Sequence, residues 1–142
     1  MRVALGSDMN GELPEAIDRW LRRHACEVTR FGALAPGADE SWPSVGREVG
    51  RCVARGDADY GVLCCWTGTG VSIAANKVPG VRAALCGDAA TAAGAREWND
   101  ANVLCFSLRA TAVPLAEEML EAWFATAPTP DAAYRAMIGE VE

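Results

Sequence analysis

The chain has 142 residues, 51% of them hydrophobic, which is the size and content of a single well-filled core, so one domain over residues 1–142 is expected, with 125–142 as a tail. A net charge of −6 leaves no basic stripe to displace counterions from phosphates, which argues against nucleic acid as a partner. The six cysteines read as reduced, buried thiols, and with His24 the only histidine and no CxxC pair, the ligand clusters expected of a metal site are missing.

Arg2 to Gly6 is a short apolar run that meets Ser7 and Asp8, so it reads as a strand rather than a leader peptide or a membrane span, and a cytoplasmic location is expected. From Glu12 to His24, Leu13, Ile17, Trp20 and Leu21 recur at helical spacing, and Pro14 is tolerated only in a first turn, which places the helix start near Glu12. Cys26 to Phe31 alternates like a second strand, and the Gly-, Pro- and acid-rich stretch from Gly32 to Trp42 reads as a loop. Pro43 then opens a helix through Val45, Val49, Cys52 and Val53.

Tyr60 to Cys65 is the most apolar strand. It runs through Trp66-Thr67-Gly68-Thr69-Gly70 into a helix that Ser72 to Lys77 begin. A strand that ends in a glycine-rich turn and restarts as a helix leaves backbone N–H groups unpaired around one spot, which attracts anions or developing negative charge. Cys65 borders that spot. It reads either as a thiol activated by the helix end or as a small core hydrophobe. Further on, Val81 to Cys86 and Ala101 to Phe106 are strands, Asp88 caps an alanine-rich helix to about Trp98, Val113 to Phe124 is a helix, and a last short helix follows Asp131.

Strands alternating strictly with helices predict an α/β fold, a parallel sheet covered on both faces, with ligands collecting beyond the carboxyl ends of the strands. The residues at those ends are Gly6 to Met9, Trp42, Cys65 to Gly68, Gly87 and Asp88, and Ser107 to Arg109. Trp66 and Trp98 fall at predicted turns, where aromatics wall pockets. No GxxxxGK[ST] motif is present, and the first turn, Ser7 to Gly11, is a poor phosphate cradle, so a nucleotide or flavin role is the weakest reading of the fold.

Three stretches resemble the ribose-5-phosphate isomerase B and galactose-6-phosphate isomerase family: Ala4 to Asp8 with Gly11, Cys65 to Arg82, and Ala95 to Leu104. The resemblance covers nearly the whole chain. It implies a Rossmann-like α/β/α sandwich with a five-stranded parallel sheet, a homodimer or tetramer with active sites at the subunit interface, no cofactor, and aldose–ketose isomerisation of a sugar through an enediolate. It casts Cys65 as the proton carrier. Thr67, Gly68, Thr69, Gly70 and Ser72 match the turn that holds the oxyanion, Asp8 and Asn99 match residues that hold sugar hydroxyls, and Arg109 is set near the phosphate.

The chain departs from that pattern at the histidine after the aspartate (Met9), the ring-opening histidine (Trp98), the first turn glycine (Trp66) and a tyrosine loop residue (Trp42). Of the cationic tail that grips phosphate, only Arg135 remains. Loss of several charge-assisted bonds of about 1.5–3 kcal/mol each predicts weak dependence on phosphate. Loss of the proton-shuttling ring predicts an open-chain carbonyl substrate. The rival reading is a catalytically weak homologue acting as a binding protein, or as one subunit of a hetero-oligomer whose paralogue supplies the missing groups.

Overall fold

In the computed structural model, which describes residues 1–142, each apolar run becomes a strand and each amphipathic run a helix: β1 (Arg2–Ser7), α1 (Glu12–Arg23), β2 (Glu27–Gly32), α2 (Trp42–Ala54), β3 (Tyr60–Cys65), α3 (Thr69–Asn76), β4 (Ala83–Leu85), α4 (Ala89–Asn99), β5 (Val103–Ser107), α5 (Val113–Ala125) and α6 (Ala132–Gly139). The five strands are all parallel, in the order β2-β1-β3-β5-β4. After β2 the chain crosses back over β1 to place β3, so the winding direction reverses between β1 and β3. Helices diverge from the sheet at such a point and leave a crevice beyond the strand ends. No helix is long and apolar enough to cross a membrane.

Alternation along the strands feeds two cores. On one face Val62 and Cys64 join Leu13, Ile17, Leu21, Met119, Leu120 and Trp123 from α1 and α5, with Ala92 and Ala95 from α4. On the other, Leu63 and Cys65 join Val45, Val49, Val71 and Ala75 from α2 and α3. The second pair of helices packs closely because α2 presents glycines. A Cβ at Gly46 would lie 2.7 Å from Ala74 Cβ and 2.9 Å from the Val71 carbonyl oxygen.

Three elements differ from the sequence expectation. Strand β4 covers only Ala83–Leu85, not Val81 to Cys86, because side-chain amides take over its entry: the Arg82 N–H donates to Asn102 Oδ1 and the Ala83 N–H to Asn76 Oδ1, each at 2.8 Å. Helix α3 starts at Thr69, three residues before Ser72, because Gly68 turns the chain in the left-handed region at φ 77°. Trp42 is the first residue of α2 and no loop residue.

The end of α4 is held by a buried cation. Arg96, 4% exposed, donates to Asp100 Oδ1 at 2.8 Å and to the Ala101 carbonyl at 2.7 Å, with its guanidinium carbon 5.0 Å from the Tyr60 ring centre. Aromatic faces and two acceptors replace the water it has lost. Asp100 is thereby kept at φ 43°, which ends the helix.

The turn at Gly68 makes a direct stability prediction. A Cβ there would lie 2.4 Å from Leu85 Cδ1 and 2.9 Å from the Phe106 carbonyl oxygen. Gly68→Ala is therefore expected to cost about 2–4 kcal/mol in urea unfolding, the sum of a left-handed alanine and an overpacked contact. Gly87→Ala, with nothing within 4 Å, is expected to cost less than about 1 kcal/mol.

Candidate active site

Two strand ends meet at the point where the winding reverses. The ladder pairs Ser7 with Cys64, and the Asp8 N–H donates to the Cys64 carbonyl at 3.4 Å, so Asp8 sits beside Cys65 across neighbouring strands. Ser7 shapes this loop. Its fully buried hydroxyl donates to the Met9 carbonyl at 2.6 Å and accepts from the Met9 N–H at 3.3 Å. The sequence reading placed Ser7 at this strand end but gave it no role in the site. A serine two residues ahead of a chain reversal was the available signal.

Asp8 is half-buried, and its Oδ1 is enclosed without a hydrogen-bond partner. Burial raises its carboxyl above the ordinary range, opposed in part by its own backbone N–H. An enclosed acceptor with nothing to accept from is suited to a hydroxyl of a bound molecule.

At the start of the turn, the Cys65 and Trp66 carbonyls are both engaged. The Cys65 carbonyl accepts from the N–H groups of Gly68 at 3.1 Å and Leu108 at 3.0 Å, and the Trp66 carbonyl accepts from the Arg109 N–H and Ser107 Oγ, both at 3.0 Å. With the carbonyls turned toward β5, the amides of Thr67, Thr69, Gly70 and Val71 donate to no protein group. Thr67 and Thr69 hydroxyls lie 2.6 Å apart. This is the donor cluster that the glycine-rich turn predicted, at the positive end of α3.

Cys65 itself is 4% exposed, packed in the core on the α2 and α3 side, with exposed Trp66 and Thr67 directly beyond it. Its neighbour Cys64 points to the other face, where complete burial drives the thiol far above its ordinary value. Cys105 is likewise raised by burial, and the Ser72 hydroxyl opposes that rise. Ser72 thus faces the Cys105 thiol in the interior. Cys86, raised by burial to about 11, is also held as a thiol.

The aromatic residues divide into two groups. Trp42 closes over the first turn of α3, its ring atoms 2.9 Å from the point a Gly70 Cβ would occupy, and Trp66 stands 56% exposed beside Met9 at a second cavity. These three rim the Cys65 turn. Trp98 and Asn99 do not. They lie in the last turn of α4, at the opposite end of the sheet, where they line a cavity of about 600 Å³ with Asn76, Val81, Arg82 and the α6 residues Tyr134 and Met137. Neither cavity is lined by Cys65. The Arg109 guanidinium is exposed and unpaired next to the turn, and Arg135 on α6 is exposed.

With this geometry in view, the chain matches the family model described as Ribose/Galactose Isomerase over residues 3–138. It is 43% identical over 123 residues to ribose-5-phosphate isomerase B of Escherichia coli (strain K12), covering 86% of this chain and 82% of that protein. It is 36% identical over 144 residues to D-erythrulose-4-phosphate isomerase 2 of Mycolicibacterium smegmatis, covering 99% and 95%. The structure of Clostridium thermocellum ribose-5-phosphate isomerase B superposes with a TM-score of 0.90 at 35% identity, covering 99% of this chain and 95% of that one.

The Asp8 environment makes a pH-dependent prediction. A carboxyl raised by burial favours the folded state below its unfolded pKa and loses that contribution as pH rises through the folded value. Asp8→Asn, which removes the charge, is therefore expected to melt about 1–4 °C above the wild type at pH 7, with the gain closing toward pH 3.5, in paired thermal melts.

Proposed function

The chain belongs to the ribose/galactose isomerase family, and from that premise we propose that it interconverts an aldose and a ketose of a short, open-chain α-hydroxycarbonyl substrate through an enediolate. The observation that carries the reading is the set of unpaired amides of Thr67, Thr69, Gly70 and Val71 beside Cys65 and the free Asp8 acceptor. Cys65, as thiolate, takes the proton from the hydroxyl-bearing carbon and returns it to the neighbouring carbon. The N–H groups of Thr69 and Gly70, in a turn opened by Gly68, hold the enediolate oxygen as charge builds. The Thr67 hydroxyl passes the second proton between the two oxygens. No electron leaves the substrate, so the reaction needs no cofactor, and the enzyme is assigned to the cytoplasm.

An open-chain substrate follows from the residue at 98. The indole of Trp98 has no proton to exchange near neutral pH, so ring opening of a furanose lacks a catalyst. The Mycolicibacterium smegmatis relative is named for D-erythrulose 4-phosphate, and a four-carbon sugar whose O4 is esterified cannot close a furanose. Asp8 would accept from a substrate hydroxyl, while Met9, Trp42 and Trp66 narrow the site. Arg109 is the one guanidinium beside the turn and the remaining candidate for an anionic group.

Asn99, cast by resemblance as a hydroxyl ligand, lies at the far end of α4 from Cys65. The same site can contain both only if another subunit delivers Trp98 and Asn99, and with a second copy of this chain in that place the enzyme is proposed as a homodimer, or a larger assembly of dimers, with composite sites. A hetero-oligomer with a paralogue meets the same geometric need.

Replacing Cys65 with Ser is expected to slow solvent-deuterium exchange at the carbon next to the carbonyl by about 100-fold or more, read by proton NMR; unchanged exchange removes Cys65 from the mechanism. Cys65→Ser and Asn99→Ala, each impaired alone, are expected on mixing and reassociation to recover up to roughly a quarter of wild-type activity, because a symmetric dimer carrying both then contains one intact site. Activity no greater than the separate variants show would make each chain's site self-contained.

A further inference from the structure

Strand β5 ends beside the Cys65 turn, and the ladder sets Ser107 opposite Cys65. Four donors hold the two carbonyls at the start of that turn: the N–H groups of Gly68 and Leu108 at Cys65, and the Arg109 N–H and the Ser107 hydroxyl at Trp66. Three of the four are main-chain groups that do not depend on side-chain identity. Ser107 is the one side chain among them.

The Trp66 carbonyl does not need that hydroxyl for satisfaction, because the Arg109 N–H already reaches it at 3.0 Å. Its second lone pair is nevertheless taken by Ser107 Oγ, also at 3.0 Å. The loop after β5 is closed without the hydroxyl as well, since the Ser107 carbonyl accepts from the Thr111 N–H at 3.1 Å. What the extra bond fixes is an orientation. In a planar trans peptide the C=O and N–H groups point in opposite directions, so holding the Trp66 oxygen toward β5 turns the Thr67 N–H away from it. That N–H is one of the turn amides with no protein acceptor. Two donors on the carbonyl also draw electron density from the peptide, which makes its N–H a stronger donor.

We propose that Ser107 is a positioning residue for the isomerisation: through the Trp66 carbonyl it holds and polarises the Trp66–Thr67 peptide, so that the Thr67 N–H joins those of Thr69 and Gly70 at the developing oxyanion. The assignment rests on the isomerase reading of the Cys65 turn and adds a residue that acts through the backbone. All the groups concerned belong to one chain.

The test compares the wild type with Ser107→Ala, which removes the hydroxyl, and Ser107→Thr, which keeps it. D-Erythrulose 4-phosphate and D-erythrulose serve as probe substrates, and deuterium exchange at C1 in heavy water, followed by NMR, gives kcat and KM. Ser107→Ala is expected to lower kcat roughly fivefold or more with KM held within about twofold, the mark of an interaction that strengthens only as charge develops. Ser107→Thr is expected to recover kcat to within about threefold of the wild type. In the ligand-free protein the Thr67 amide resonance is expected to move in Ser107→Ala and to return toward its wild-type position in Ser107→Thr, which a role in stability alone would not produce. An unchanged kcat in Ser107→Ala, or a Thr67 amide resonance that stays in place, overturns the assignment and leaves the isomerase reading standing. Exchange of neither ketose by the wild type overturns both.

Discussion

The backbone reversal at Gly68 is the constraint on which the site depends. At φ 77°, and with Leu85 and the Phe106 carbonyl standing where a Cβ would be, only glycine fits without strain. That one residue lets β3 stop at Cys65 and α3 begin at Thr69. It turns the carbonyls of Cys65 and Trp66 toward the β5 loop, and their amide neighbours consequently face the open side. The approach of α2 to α3 through Gly46 then carries Trp42 over the same turn. Electrostatic character, aperture and aromatic wall are thus set by backbone geometry more than by charged side chains.

A second rigid region lies at the other end of the sheet. Arg96 is nearly sealed from solvent between the rings of Tyr60 and Trp123, and its bonds to Asp100 and Ala101 fix the last turn of α4. Removing the guanidinium would strand Asp100 in a left-handed conformation with no compensating bond. The expense of burying a cation is understandable if the residues it orients, Trp98 and Asn99, have to be presented accurately to another surface. The Cys65 turn and the α4 terminus are thus two separately braced elements.

Much of this was legible in the residues. Strand–helix alternation identified the parallel sheet, Pro14 located the start of α1, Asp88 was recognisable as a cap, where it accepts from the Thr91 N–H, and the glycine-rich turn announced its unpaired amides. The resemblance in Ala95 to Leu104 named Asn99 and Trp98 but not their distance from Cys65, because local spacing does not say which end of a helix faces which end of the sheet. The trimmed β4 escaped notice since Asn76 and Asn102 act on it from elsewhere in the chain. Glu12 served only to mark the start of α1. Its place in the wall of the cavity beside Met9 and Trp66 arises from the meeting of α1 and α5, which no single stretch encodes.

The side-chain clamp at the sheet margin has a consequence for assembly. Strand β4 is an edge, and Asn76 grips it twice, accepting from the Ala83 N–H and donating to the Ala83 carbonyl, each at 2.8 Å. Those are main-chain groups that a foreign strand would need to dock by ladder extension. With them occupied and the strand only three residues long, fibre-like continuation from molecule to molecule is discouraged. The large apolar side chains left open to solvent on this flank are Ile73, Leu85 and Trp98.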